Sequence, residues 1–334
     1  MSNITEASTK TAKDGIVLLA KRPGPTSFAS LNSVKKALNT TKVGHTGTLD
    51  SFAQGLLVVC TGRLTKLAGN ITAFDKSYQA VIRFGQETDT LEYTGTVIKE
   101  APLPSEDALH AAVEKISKQT MQVPPAFSAI HINGERASDL TRKGAQAQIP
   151  PRPVKIYRAE IKELKKNSEG LVEYALIDFS VSKGTYIRSL ARDIAYECGS
   201  AAHLTGLYRT KVGNFKIEDA AGLNVLKPFT IDSAILHEEP AQDEEALREE
   251  IKSKLLAFDH ITAKECGFDS ITIASDSAQA DFFNGKKLLA SMFKEDIKML
   301  PPDTQAAVFN EENRFLGLIY KDEKGRLGYR FVLN

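Results

Sequence analysis

Apolar residues in this chain fall into short runs of two different periods, intermixed along its length. Ile16-Val17-Leu18-Leu19-Ala20 is a continuous apolar run of strand length, the pattern of a strand buried on both faces. Ser27 stands where a helix would be capped, with Leu31, Val34 and Leu38 on one face. Residues 77–85 alternate, placing Tyr78, Ala80, Ile82 and Phe84 on one side of a strand, so the tyrosine hydroxyl needs a partner or a ligand. Residues 175–181 alternate again. Lys183-Gly184 then leads into 186–198, where Ile187, Leu190, Ile194 and Cys198 form a helical stripe, Arg188 sits in the first turn and Gly199 supplies the stop. Between these, Val123-Pro124-Pro125 punctuates the chain, and Asn133-Gly134 marks a turn expected to sit between a strand and a short helix. The last hundred residues read as a small mixed unit ending in β structure, with turns at Asn284-Gly285 and Lys324-Gly325.

A chain of 334 residues with 42% apolar content has room for about two packed domains. The acidic segment 236–245 coincides with a change in charge sign: residues 1–230 carry 30 Lys and Arg against 22 Asp and Glu, while 231–334 carry 13 against 20. The division predicts a flexible tail over 1–14, a domain over 15–235, an acidic linker over 236–250 and a small C-terminal domain over 251–334. A basic first part suits a polyanionic partner that the overall charge of +1 conceals, although solvated basic faces explain the same numbers. The polar start of the chain and its short aliphatic runs disfavour secretion and membrane insertion. Three dispersed cysteines, Cys60, Cys198 and Cys266, without Cys-x-x-Cys spacing, argue for reduced thiols, a cytoplasmic location and no zinc site.

The richest local chemistry lies in 42–55, where Asp50 is surrounded by Gly44, Gly47 and Gly55, the hydroxyls of Thr46 and Thr48, and His45. Such a loop can present a carboxylate to a large substrate. It also describes a turn whose side chains satisfy nearby backbone groups. Phosphate-loop, His-Glu-x-x-His, Gly-x-Ser-x-Gly and Gly-x-Gly-x-x-Gly signatures are all absent from the sequence.

Gly44-His45-Thr46-Gly47-Thr48-Leu49-Asp50 with Gly55, followed by Thr61-Gly62-Arg63-Leu64-Thr65-Lys66, closely resembles the catalytic motif of the bacterial tRNA pseudouridine synthase B family. Further matches follow in the family's order from about Gly15 to about Phe215. They are Lys21 through Ser27; Lys76-Ser77-Tyr78 with Gly85-Gln86-Glu87-Thr88-Asp89-Thr90; Pro124 through Ala129 with Asn133-Gly134; Ser182 through Leu190; and Ala202 through Thr210. The sequence departs from the family at Arg22, usually proline, and at Ser51, Phe52 and Gln54, where Pro, Leu and Thr are common. Serine removes a rigidifying ring, so a looser loop is expected there.

The resemblance implies an α+β fold, with a catalytic domain built on a mixed, largely antiparallel sheet and a small β-rich, PUA-like C-terminal domain. It implies isomerisation of uridine 55 in the tRNA T-loop, with Asp50, Tyr78 and Arg188 catalytic and with His45, Lys66 and Leu207 binding substrate. A free Asp has a pKa near ~3.9, so Asp50 would be ionised at neutral pH and held in place by Arg188. It would attack C1′ of the ribose or remove the C2′ proton, breaking the C1′–N1 bond of a flipped uridine. Tyr78 would supply the aromatic face, and His45 would fill the space near the displaced nucleotide. Local readings compete at each position: a core tyrosine, a turn histidine, a solvated Lys66, a core Leu207. Arg192, one turn beyond Arg188, reaches phosphate or only water. The implied partner is tRNA through its T-arm, bound by a monomer; the product is an isomer, so no cofactor and no metal are expected. The alternatives are a non-catalytic tRNA-binding and folding module, and a synthase guided by RNA within a larger particle.

Overall fold

The computed structural model describes residues 14–333 except 129, 133, 143–148, 238–240 and 242. The expected tail therefore lies outside the described residues up to residue 13, as do Asn133 of the turn motif and part of the acidic segment. An eight-stranded sheet organises the first two thirds of the chain. Its principal strands are β1 (Gly15–Lys21), β2 (Val43–His45), β3 (Gln54–Thr61), β4 (Lys76–Phe84), β5 (Ile156–Lys166), β6 (Val172–Val181) and β7 (Ala202–Val212). The order is β1-β3-β7-β4-β6-β5, with β2 paired to β3 and the short strand Phe215–Lys216 paired to β7. All pairs are antiparallel except β3 with β7, where Gln54 and Gly55 face Tyr208 and Arg209. Gly55 is required there. Its φ is +112°, and a Cβ would come within 2.6 Å of the Arg209 backbone.

The continuous apolar run of β1 is explained by its two faces. Ile16, Leu18 and Ala20 join Leu56, Val58 and Cys60 in one core. Val17 and Leu19 join Leu57 and Val59 in another, covered by helix α1 (Ser27–Ala37) through Leu31, Val34 and Leu38. On the far part of the sheet, Ala80, Ile82 and Phe84 of β4 pack beneath α2 (Glu106–Ser117) and α3 (Ile187–Glu197), with Tyr78 at the edge of the same cluster. Alternation along 77–85 thus reports the face on which each side chain lies.

Two local expectations differ in the structure. The N-cap of α1 is Thr26, whose side chain accepts from Ala29 N, while Ser27 is buried and its hydroxyl is used elsewhere. After α4 (Ile231–Leu236), residues 244–250 of the expected linker belong to helix α5 (Glu244–Ser253), which packs on α1 through buried Leu247 and Ile251. Two apolar residues four apart suffice to dock an otherwise charged helix.

The C-terminal sheet runs β8 (Asp269–Thr272), β9 (Thr304–Phe309), β10 (Phe315–Lys321), β11 (Leu327–Val332), with only the first pair parallel. Ala307, Phe309, Phe315 and Leu318 share a core with Ile16, Leu18, Leu56 and Val58 of the large sheet. Leu256 also exchanges two backbone hydrogen bonds with Ile16, each 2.9 Å. The C-terminal unit is therefore joined to the main sheet by buried apolar contact, in which each buried large side chain contributes roughly 1.5–3 kcal/mol.

Candidate active site

Asp50 lies in the loop between β2 and β3. Because β2 folds back on β3, the loop must be held open at its base; Thr46 does this by donating to Val58 O through both its backbone N (3.0 Å) and its Oγ1 (3.2 Å). Three side chains from outside then clamp the loop. Ser27 Oγ donates to Leu49 O and accepts from Leu49 N, both at 2.8 Å. Arg209 donates to Leu56 O (2.7 Å), Thr48 O (3.3 Å) and Gly47 O (3.1 Å). Lys21, only 1% exposed, donates to Ala53 O (2.7 Å), Arg22 O (3.1 Å) and Ser51 O (3.2 Å), using all three of its N–H groups. Burial pulls the Lys21 ammonium down to about 7, against an opposite pull from Asp50. Phe52 is buried and meets Tyr93 edge to face, with ring centroids 6.1 Å apart. The Ser51-Phe52-Ala53-Gln54 sequence is therefore not loose: a buried aromatic and the Lys21 hydrogen bonds replace the rigidity of proline.

Arg188 opens α3 and is 5% exposed. Its Nη2 donates to Asp50 Oδ1 at 3.2 Å, and its Nε lies 3.1 Å from Oδ2 without hydrogen-bond alignment. Two carbonyls complete its shell: Nη1 donates to Thr90 O (2.8 Å) and Nη2 to Phe127 O (3.0 Å). Asp50 keeps 34% side-chain exposure, so a buried cation holds an accessible carboxylate.

A second carboxylate faces the same guanidinium, with Glu92 Oε1 3.9 Å from Arg188 Nη1 and Oε2 buried without a partner. The turn that carries it is strained. Leu91, between Thr90 and Glu92, has φ +59°, an arrangement costing about 1–2 kcal/mol for a side chain of this kind. Burial pushes the Glu92 carboxyl up to about 7; Arg188 opposes this, and Asp50 and Asp89 add to it. A carboxyl raised in this way contributes stability that is complete below 4.5, its ordinary value, and is lost as pH rises through about 7. Glu92→Gln is therefore expected to be more stable than the parent at pH 8, by on the order of 1–3 kcal/mol, with the difference shrinking at pH 5. Thermal denaturation at the two pH values reads it; an equal difference at both would refute the assignment.

The structure brings Asp50, Arg188, Tyr78 and Leu207 to one region of the sheet. Tyr78 is half-buried on β4, opposite Arg209 of β7, and packs against the cluster that contains Leu49, Phe52 and Leu207. Leu207 is 5% exposed within that core and also borders a cavity of about 470 Å³ behind residues 51–54. His45 ends β2 half-buried, with Nδ1 buried and unpaired; burial, then the Arg209 charge, lowers its pKa and favours the neutral ring. Lys66 is not brought to this region. It is exposed on the turn after β3, donates to Val332 O at 3.2 Å and lies 5.2 Å from the centre of the Phe331 ring, so it ties the main domain to the last strand. Arg192 is held by Asp193 Oδ1 (2.7 Å) and Val123 O (3.0 Å). Among the described residues no three His, Cys, Asp or Glu side chains group as metal ligands would. Glu92, Lys21 and Arg209 are parts of the site that pattern reading assigned no role, and Ser27 was read only as a helix cap; all but Glu92 lie within the matched motifs.

Residues 35–187 match the TruB family pseudouridylate synthase N-terminal domain. The chain is 42% identical over 306 residues to tRNA pseudouridine synthase B of Treponema denticola, a match covering 84% of this chain and 86% of the relative. It is 34% identical over 352 residues to tRNA pseudouridine synthase B of Treponema pallidum, covering 93% and 95%. Among solved structures, a Cbf5-Nop10-Gar1 complex aligns with TM-score 0.63 at 24% identity, covering 96% of this chain and 85% of that one. An H/ACA ribonucleoprotein bound to a substrate RNA containing 2′-deoxyuridine aligns with TM-score 0.64 at 21% identity, covering 96% and 86%. At these identities the two structures report a shared α+β fold.

Proposed function

This chain belongs to the TruB family of pseudouridylate synthases, and we propose that it converts uridine 55 in the T-loop of tRNA to pseudouridine, with Asp50 as the reacting group. The observation that carries this reading is the accessible Asp50 carboxylate fastened to a buried Arg188. Arg188 orients the carboxylate, and the Ser27, Lys21 and Arg209 clamps remove the loop motion that would blur its position.

A uridine in an RNA loop must be flipped out to reach Asp50, at a cost of a few kcal/mol. Asp50 then either attacks C1′ or takes the C2′ proton. In both routes the C1′–N1 bond breaks and its electron pair leaves with uracil. The base turns and C5 bonds to C1′; in the first route the C1′–O bond to Asp50 breaks and its electron pair returns to the carboxylate, and in the second Asp50 returns the proton to C2′. N1 gains a proton, and the original C5 proton is lost. Tyr78 gives the base its stacking face, Leu207 an apolar wall, and His45 a neutral wedge for the displaced nucleotide. Glu92 shares Arg188 with Asp50, and its high pKa limits the negative charge facing a polyanion. The same reading takes the T-arm as the point of contact, a monomer as the working unit and the cytoplasm as the location. Lys66 has no part in it.

The test is release of tritium from a tRNA transcript labelled at uridine C5. One equivalent per tRNA is expected, and none when cytidine replaces uridine at position 55. No release from the uridine transcript would overturn the proposal.

A further inference from the structure

The geometry points to the outer flank of α1 as a second RNA-contacting surface, in which Phe28 stacks on a base or ribose and Lys35 and Lys36 meet phosphates. This rests on the proposed RNA substrate but concerns a surface outside the Asp50 region. The buried stripe of α1 is Ser27, Leu31, Val34 and Ala37, so the amphipathic pattern calls for polar residues on the other side. Phe28 breaks that pattern. It is 68% exposed, and Lys35, two turns on, places Nζ 5.0 Å from the ring centre.

Beyond it, Lys35, Lys36, Asn39, Thr40 and Thr41 border a shallow concavity of about 450 Å³, and Lys42 follows directly. No carboxylate among the described residues pairs with Lys35, Lys36 or Lys42. Helix α5 brings acid to α1 elsewhere: Glu244 accepts from Ser33 Oγ at 3.0 Å, and at 100° per residue Ser33 lies about 140° around the helix from Phe28. An exposed aromatic beside unpaired lysines, with hydroxyl and amide groups in the adjoining hollow, is the chemistry that single-stranded nucleic acid recognises. The start of α1 is fastened to the loop that carries Asp50: Ser27, the neighbour of Phe28, is hydrogen-bonded to Leu49, and Gly24 N donates to Ser51 O at 2.9 Å.

Binding is measured with unmodified tRNA over a salt series, in the Asp50→Asn background, so that the result does not depend on turnover. Phe28→Ala is expected to weaken binding about tenfold and Phe28→Trp to retain it. Lys35→Gln with Lys36→Gln is expected to reduce the slope of log affinity against log salt by about 1–2. In the active parent, the same changes raise KM and leave kcat near its original value. Thermal denaturation monitors folding, which substitution at exposed Phe28 and Lys36 and at half-buried Lys35 should not disturb. Parental affinity and slope in both the Phe28→Ala and the double-lysine variants would overturn the inference, as would equal losses with Ala and Trp at position 28. If the parent binds tRNA but releases no tritium, the proposed function fails while this surface stands; if neither the parent nor Asp50→Asn binds tRNA, both fail.

Discussion

Asp50→Asn is expected to abolish tritium release, lowering the rate on the order of 10⁴-fold or more, while the protein folds and binds tRNA as before. Asparagine keeps the shape and can still accept from Arg188 Nη2, now 3.2 Å from Oδ1. It cannot carry the negative charge needed to attack C1′ or to take a proton from C2′. The fold tolerates the change because the side chain is one-third exposed and the loop is anchored through Leu49, Thr48, Gly47 and Ala53, not through the carboxylate. Arg188 keeps Glu92 as a carboxylate neighbour and still donates to Thr90 O and Phe127 O. Single-turnover tritium release and filter binding, run side by side, check both halves. Turnover within tenfold of the parent would remove Asp50 from its assigned role.

Arg188→Met carries the second large effect, because this residue holds the proposed reacting group and also joins separate segments of the fold. Its guanidinium is shared by Asp50, Glu92, Thr90 O and Phe127 O, and methionine fills the space without donating to any of them. Breaking a buried ion pair by removing one partner costs about 3–5 kcal/mol, since the remaining charge stays desolvated. A fall in stability of that order is expected at pH 8, with activity reduced at least about 10²-fold as Asp50 loses its alignment. The contributions separate in a double variant. Arg188→Met with Glu92→Gln should regain part of the stability, because the orphaned carboxylate is gone, but none of the activity. Lowering pH toward 6 should partly restore the single variant for the same reason, as Glu92 takes up its proton. Denaturation curves at both pH values with a tritium assay on all three proteins decide this; unchanged stability in Arg188→Met would exclude Arg188 as the counter-charge.

Regular elements were legible wherever burial follows a local period. The strand at 76–84 and the helix at 187–197 announce themselves because every second, or every third to fourth, residue meets the same core. Adjacent hydroxyls could not be told apart in this way. Thr26 and Ser27 both suit a cap, and only the position of Leu49, 22 residues on, recruits Ser27 away from that role. The helix at 244–253 was hidden in an acidic run because its docking needs just Leu247 and Ile251, and their partners come from α1 and the main sheet. Lys66 shows the same limit from the other side. Its motif match placed it with the candidate site, but a side chain at the junction of two domains takes the nearer carbonyl, Val332 O.

Asp50 and Arg188, 138 residues apart, were paired beforehand by resemblance and not by any period or spacing. Short-range pattern and composition were enough for the mixture of helices and strands, for Asp50 as a candidate carboxylate and for the side of the strand on which Tyr78 lies, since these follow from backbone periodicity and residue chemistry; the other site residues came from the resemblance. Which charges are buried was decided only in three dimensions. Lys21, Glu92 and Arg209 look like surface charges along the chain and become a loop clamp, a high-pKa neighbour and a second clamp once strands from distant segments close over them. Desolvation depends on everything packed around a group, and that environment is assembled by contacts no local window contains.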